Sequence, residues 1–315
     1  MQLSGWIVLS TDLHGIGLER VNRAARNRTL ANEPNGPPRA PEIDLPASMK
    51  RIASNALLAA SGLALATSCV SLDSPGLAPA HPQRPTLSSD TYTTPDGMME
   101  VEAGGNVQFG KNSSIPTTLK YGMGERTEMF VGMDVLKAVE TPTGHTTTGL
   151  GDAVVGFRHR LRDKDEFEPG VAMQFRTKLP TASSDRDIGT GEVDFGAALI
   201  AEQDYKGNTF VGFYELGVLG EQFEPETDIQ HLFVGTGYTK IQKDIEAYGE
   251  ASFNWVPEQD REEFSVAGGI FYAIHPSFVV DIGIRVGLTK DAPDYQVLFG
   301  LTRALGKLGL RRDLK

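Results

Sequence analysis

The stretch MEVEAGGNVQF, residues 99–109, alternates apolar or small residues with polar ones along its whole length. Met99 and Val101 fall on one side of this alternation, and Glu100 and Glu102 fall on the other. Because successive side chains of a β-strand point to opposite faces of a sheet, a period of two predicts a strand with one apolar and one polar face.

The same alternation recurs along the rest of the chain. It is clear at 129–136, 153–161, 171–179, 192–202, 245–255 and 280–288, and less regular at 115–123, 209–220, 230–240, 264–274 and 295–303. The segments have roughly ten residues each, the length that a tilted strand needs to cross a bilayer. Short turns alternate with longer polar loops between them, as in outer-membrane proteins. The pattern predicts an all-β fold, an antiparallel up-and-down transmembrane β-barrel of about twelve strands over residues 98–305.

A soluble β-sandwich is the competing interpretation, since its sheets also have one apolar face. Sandwiches show turn signals every ~8–12 residues and keep their charges on the outer faces. Here the repeat is roughly seventeen residues, and paired charges recur on the polar face. The membrane barrel is therefore favoured, with its charges facing a wet lumen and its apolar residues facing lipid.

Composition excludes several other classes of protein. The net charge of −11 argues against a nucleic-acid partner, which needs a basic surface. No run of eighteen apolar residues exists, which excludes a protein with several membrane-spanning helices. The single cysteine, Cys69, excludes a disulfide scaffold and a cysteine-cluster metal site.

The first part of the chain has the organisation of an exported protein. Residues 1–48 are either an upstream extension of the reading frame or a disordered region, and Met49 begins a signal peptide over 49–69. Cys69 is a candidate for lipid attachment, and Ala78-Pro79-Ala80 is the competing cleavage site. Residues 70–97, rich in Pro, Ser and Thr, are predicted to form a flexible tether, and 306–315 a C-terminal tail.

Charged residues on the polar faces are predicted to line the lumen. They can act as a charge ladder that orients polar solutes, or as mutually neutralising ion pairs that fill a narrow barrel, and the sequence leaves both open. The candidates are Arg158, Arg160, Arg176, Lys178, Glu192, Asp194, Glu246, Glu250, Asp281 and Arg285.

The sequence gives little support for a catalytic function. The histidines have no metal-ligand spacing, so no catalytic residue, metal site or cofactor is predicted. His275 and Ser277 lie in one predicted turn, and they keep open an enzyme acting on lipids, although adjacency in a turn does not make a catalytic triad.

Three consecutive segments resemble a known family. GLGDAVVGFRHRL (149–161), PGVAMQFRTKLPT (169–181) and GTGEVDFGAALIAEQDY (189–205) are similar to the bacterial outer-membrane β-barrels described as transporters or as a MetA pathway of phenol degradation. The resemblance covers about 98–305 and implies a small channel for aromatic or other small hydrophobic compounds. Two features depart from it: many such barrels end in an aromatic residue whereas this chain ends in Lys315, and lipidation of the N-terminus would be unusual.

The function expected from these observations is a bacterial outer-membrane channel for small solutes, aromatic or hydrophobic ones among them, by diffusion through a charge-lined lumen. The expected partners are outer-membrane lipid and lipopolysaccharide, the outer-membrane assembly machinery and the small-molecule solute. An exported, lipid-tethered barrel or sandwich that binds a ligand without forming a pore is the first alternative. The barrel enzyme is the second.

Overall fold

A computed structural model describes residues 77–108, 112–140, 145–186, 188–220 and 227–307. The signal peptide and Cys69 lie outside these ranges. The strands are β1 Met98–Val107, β2 Asn112–Gly122, β3 Thr127–Glu140, β4 Thr146–Gly149, β5 Ala153–Arg162, β6 Gly170–Leu179, β7 Asp194–Tyr205, β8 Asn208–Leu219, β9 Asp228–Gln242, β10 Ile245–Val256, β11 Arg261–His275, β12 Phe278–Gly287 and β13 Tyr295–Lys307.

The strands close into one antiparallel barrel. Apart from β4, which pairs only with β3, each strand pairs with the next one in the wall, and β1 pairs with β13, so the ladder has no free edge between first and last strand. The short β4 and the longer β5 both pair with β3, one after the other, and occupy a single place in the wall. The barrel thus has twelve strand positions, which confirms the predicted fold.

Side chains alternate between the lumen and the outer surface, and β7 shows the rule. Asp194 and Ile200 point inward and are 4% and 0% exposed, whereas Phe195 and Leu199 point outward and are 55% exposed. This is the inside-out arrangement of a membrane barrel, where lipid covers the apolar face.

The two ends of the barrel differ in the length of their connections. The turn between β7 and β8 consists of Lys206 and Gly207, both with positive φ (50° and 79°), as a tight hairpin with the right twist requires. The other connections at this end have two to four residues, except for the seven of 163–169, and β1 begins and β13 ends there. The opposite end carries the longest loops. Two short 3₁₀ turns, Ser184–Arg186 and Pro257–Gln259, lie in the connections at that end. Among the described residues no helix is long and apolar enough to span a membrane.

The segment before β1 corrects one prediction. A flexible tether was expected over 70–97, but residues 77–97 run into the barrel, where about half of them are buried and only Pro79 is exposed. Their Ser, Thr and Pro composition is typical of a linker, yet the polar groups of this segment find partners on the lumen wall. We call residues 77–97 the plug.

Candidate functional site: a plugged lumen

Ion pairs line the inner wall of the barrel. Lys178 lies 2.5 Å from Asp194 on the neighbouring strand, and Arg176 Nε donates to Glu215 Oε2 at 2.7 Å across one intervening strand. Arg285 and Glu250 are likewise one strand apart and meet at 2.9 Å. Nearly all these side chains are buried. In each of the three pairs the two charges therefore neutralise each other inside the lumen.

The other predicted lumen residues lie in varied places. Arg158 is buried and lies 3.3 Å from Glu128, whereas Arg160 sits at the short-turn end and pairs with Asp163 at 2.8 Å. Glu192 precedes β7 in a long loop, and Glu246 opens β10 at the short-turn end, both half-buried. Asp281 is buried, and neither of its oxygens has a hydrogen-bond donor among the described residues.

The plug is a loop that enters and leaves the lumen at the short-turn end. Ala80 N–H donates to the carbonyl of Pro276 in a short turn, and Gly97 pairs with Gly122 beside the start of β1. Between these points the chain reaches inward, and its tip, residues 84–89, is almost wholly buried.

Side chains within the plug hold its two arms together. His81 Nε2 and Asp90 Oδ2 are 2.5 Å apart, and Gln83 donates to the other oxygen of Asp90 at 2.8 Å. The ring of His81 also stacks on Tyr92. Burial alone would lower the pKa of His81, but the carboxylates of Asp90 and Glu100 together raise it above its ordinary value, while the pairing with His81 lowers the pKa of Asp90.

Five glutamates of the barrel wall accept backbone N–H groups of the plug. They come from four strands around the lumen, and each is buried. The pairs are His81 N with Glu100 (2.7 Å), Gln83 N with Glu102 (2.8 Å), Leu87 N with Glu250 (2.8 Å), Thr91 N with Glu202 (3.0 Å) and Thr94 N with Glu128 (2.8 Å). Hydrogen bonds to charged acceptors are the stronger kind, so this ring can hold a segment that has little apolar surface.

Each of these carboxylates also contacts a cation. Lys120 lies 2.7 Å from Glu100 and also contacts Glu102, while the distances are 3.3 Å for Arg158 and Glu128 and 2.5 Å for Lys164 and Glu202. The cations neutralise the buried ring, and one oxygen of each glutamate can then face the plug. Glu100, Glu102, Glu128 and Glu202 were absent from the predicted site, although the alternation already puts them on the inward face.

Arg84 at the tip of the plug lies where two glycines leave space. A Cβ on Gly104 would stand 1.5 Å from Arg84 Nη1, and a Cβ on Gly300 would stand 2.8 Å from both Nη1 and Asp281 Oδ2. Only small residues on β1 and β13 therefore admit this guanidinium. It is 2% exposed and makes one long hydrogen bond, 3.5 Å to the carbonyl of Phe299.

One part of the inner wall is apolar. Inward residues of β6 to β9 form a continuous cluster, and Leu87 of the plug packs against it together with Leu232 and Tyr238. We call this cluster the apolar patch; its members are Ala172, Ala198, Ile200, Val211, Phe213 and Val234.

The loop between β6 and β7 narrows the opposite mouth. Lys137 Nζ donates to the carbonyl of Ile188 at 2.7 Å, and Lys178 Nζ donates to Thr190 at 2.6 Å. Ile188 is 1% exposed. The described part of this loop thus folds onto inward residues at the rim.

The suspected catalytic pair is in contact but badly placed for catalysis. His275 Nδ1 and Ser277 Oγ are 2.8 Å apart within the turn between β11 and β12. Ser277 is only 1% exposed, so its hydroxyl is not presented to a substrate. Among the described residues, no three His, Cys, Asp or Glu side chains converge where they could hold a metal ion.

Comparison with known proteins identifies the family of this barrel. A family model described as "Putative MetA-pathway of phenol degradation" matches residues 83–303, most of the chain and all of the barrel wall but its ends. The chain belongs to this family. The match confirms the resemblance drawn from residues 149–205 and extends into the plug, since it begins at Gln83.

Solved structures similar to this member of the MetA-pathway family include an outer membrane channel. An outer membrane channel from Pseudomonas putida F1 is 10% identical with a TM-score of 0.53, covering 70% of this chain and 99% of that chain. The NanC porin is 13% identical with a TM-score of 0.46, covering 67% and 100%. The translocator domain of the autotransporter NalP from Neisseria meningitidis is 12% identical with a TM-score of 0.39, covering 69% and 90%. No curated protein sequence matches the chain.

Proposed function

We propose that this protein is a channel of the bacterial outer membrane that passes small solutes, aromatic and other hydrophobic compounds among them. One observation carries the proposal. The barrel is apolar outside and charged inside, and its lumen is occupied by a plug whose contacts with the inner wall are all non-covalent. Twelve strands enclose more space than the eight whose interior side chains can fill. The plug takes up that extra space, so its movement would open a path.

The choice of solute is supported by two features. The family description refers to phenol degradation. The apolar patch gives an otherwise charged lumen one surface on which a hydrophobic compound can rest. Passage by diffusion needs no covalent step, and the residues of the lumen would act by binding and by steric selection.

We place the channel in the outer membrane, with lipid and lipopolysaccharide around the barrel and the outer-membrane assembly machinery as the partner that inserts it. The outward-facing band of large apolar side chains supports this location, because it would be unstable in water.

A disulfide between plug and wall tests the proposal. Ser88 Oγ and Thr236 Oγ1 are 2.6 Å apart, so cysteines at both positions can reach bonding distance after a small adjustment. The double variant is made in a Cys69→Ala background, which removes the only native thiol. We expect single-channel openings in planar bilayers with reductant and none after oxidation. Cys69→Ala alone, the matched control, should open equally in both conditions.

A binding protein without a pore is the second candidate, and the fully docked plug favours it. The two functions separate in the same recordings. Absence of openings in the reduced double variant and in the unmodified protein, at every voltage, would contradict the channel and support the binding protein. Openings that persist unchanged after oxidation would show that solutes do not use the path that the plug fills.

A further inference from the structure

The plug covers the apolar patch, whose six members are at most 6% exposed. Leu87 is the plug side chain that packs against the patch, and it is only half-buried although its neighbours Thr86 and Ser88 are fully buried. The apolar surface that remains accessible there belongs to Leu87 itself and to its half-buried neighbours Leu232 and Tyr238. Such surface is costly in water unless a ligand covers it.

A strong hydrogen-bond acceptor stands at the edge of the same surface. Glu250 Oε2 accepts the N–H of Leu87 at 2.8 Å and that of Ser88 at 3.4 Å, with the Thr236 hydroxyl 3.3 Å away. The other oxygen of Glu250 is fixed by Arg285 at 2.9 Å. The carboxylate is thus held in one orientation, with an oxygen directed toward Leu87.

The apolar patch and the Glu250 carboxylate together favour one class of ligand. An apolar surface binds a small ring, and a carboxylate beside it accepts a hydrogen bond from a hydroxyl or amine on that ring. Leu87 itself presents this combination, an apolar side chain with an adjacent N–H donor. Resting on the proposed function, we propose that Leu87 occupies a solute site formed by the apolar patch and Glu250, and that the site takes small aromatic compounds with one hydroxyl or amine donor.

The acceptor oxygens of the site also disfavour one class of aromatic compound. Glu250 and, two residues beyond Ile200 on β7, Glu202 both direct carboxylate oxygens toward the plug. An aromatic carboxylate would place its charge against theirs, whereas a neutral hydroxyl donates to them. Phenols should therefore bind and benzoates should not.

Fluorine NMR on the full chain in lipid nanodiscs tests the site with two matched probes. 4-Fluorophenol carries the donor, and 4-fluorotoluene has the same ring size without it. The measured quantity is the ratio of their affinities. For Glu250→Gln we expect this ratio to fall about tenfold, the loss typical of replacing a charged acceptor by a neutral one. Because both probes must displace the same plug, any loosening of the plug by the substitution cancels in the ratio.

Two neighbouring alanines give a matched pair of wall variants. Ala198 points into the apolar patch, whereas Ala197 points outward on the same strand. Ala198→Phe should abolish saturable binding of both probes, and Ala197→Phe should leave it at the level of the unmodified protein. Each variant is first checked for a folded barrel by its mobility shift on heating in SDS, and if Ala198→Phe fails that check, the Glu250→Gln ratio decides.

The outcomes separate this site from the channel itself. An unchanged ratio in Glu250→Gln, or saturable binding that survives in a folded Ala198→Phe barrel, would overturn the site, even if the disulfide variant conducts as expected. Binding that follows the predictions in a protein that never conducts would uphold the site and overturn the channel.

Discussion

At the scale of single residues, the contact between His81 and Asp90 makes the plug sensitive to pH. The raised pKa of His81 means that its contribution is complete below the ordinary histidine value of about 6.5 and is lost as the pH rises through the raised value. The lowered pKa of Asp90 means that its contribution is complete above about 3.9 and is lost as the pH falls through the lowered value. The docked plug is therefore most stable between these limits.

We expect the open fraction in planar bilayers to rise as the pH is raised above about 6.5. Asp90 and Glu100 stabilise the charged imidazole and Lys120 opposes them, so the titration belongs to this group of side chains together. His81→Gln keeps a hydrogen-bonding side chain that does not titrate, and it should flatten the response. An equal pH dependence in His81→Gln would show that another group controls the plug.

Leu87 provides a second residue-level prediction. Leu87→Asp would put a carboxylate against the apolar patch and next to Glu250, and an unpaired charge in such a place is strongly unfavourable. The ratio of open to closed channel should rise tenfold or more, which corresponds to about 1.4 kcal/mol. Leu87→Met, similar in volume and apolar, should stay near the unmodified protein. Equal opening in both variants would mean that the patch does not hold the plug.

The sequence predicts which side chains point inward, because that direction follows from the alternation. It does not predict which of them pair, because pairing depends on the shape of the closed barrel. The inward direction of Arg176 follows from its place on the polar face, but its partner Glu215 lies two strands away. Only the curvature of the closed wall brings those strands' inner faces together. The choice between a charge ladder and neutralising pairs could therefore not be made from the sequence.

At the scale of elements, the wall could be predicted and the plug could not. All twelve predicted segments correspond to strands, because the period of two can be followed through each of them, although it is less regular in five. The short β4 was missed, since four residues are too few to show a period. The plug has no period at all: hydrogen bonds from its backbone hold it, and backbone N–H groups are the same whatever the sequence.

The barrel should fold without the tip of the plug. Closure rests on the ladders between β1 and β13 and between β2 and β3, neither of which includes residues 84–89. Replacing 84–89 by a Gly-Ser segment should preserve the compact species seen in unboiled SDS samples and its shift on boiling. Loss of that species would mean that the plug is part of the folding core.

At the scale of the whole molecule, the outer surface predicts how stability depends on depth in the membrane. Leu199 lies in the middle of β7 and Tyr205 at its short-turn end, and both point outward with more than half of their surface exposed. Leu199→Arg should destabilise the folded barrel by about 2–4 kcal/mol, because the charge would lie near the bilayer midplane, whereas Tyr205→Arg should cost about 0–1 kcal/mol near the interface. Urea unfolding in lipid vesicles, followed by tryptophan fluorescence, measures both. The two sites lie at different depths on the same outward face, so equal losses would mean that β7 does not cross the bilayer. The inward charges would then have to be explained as the interior of a soluble protein.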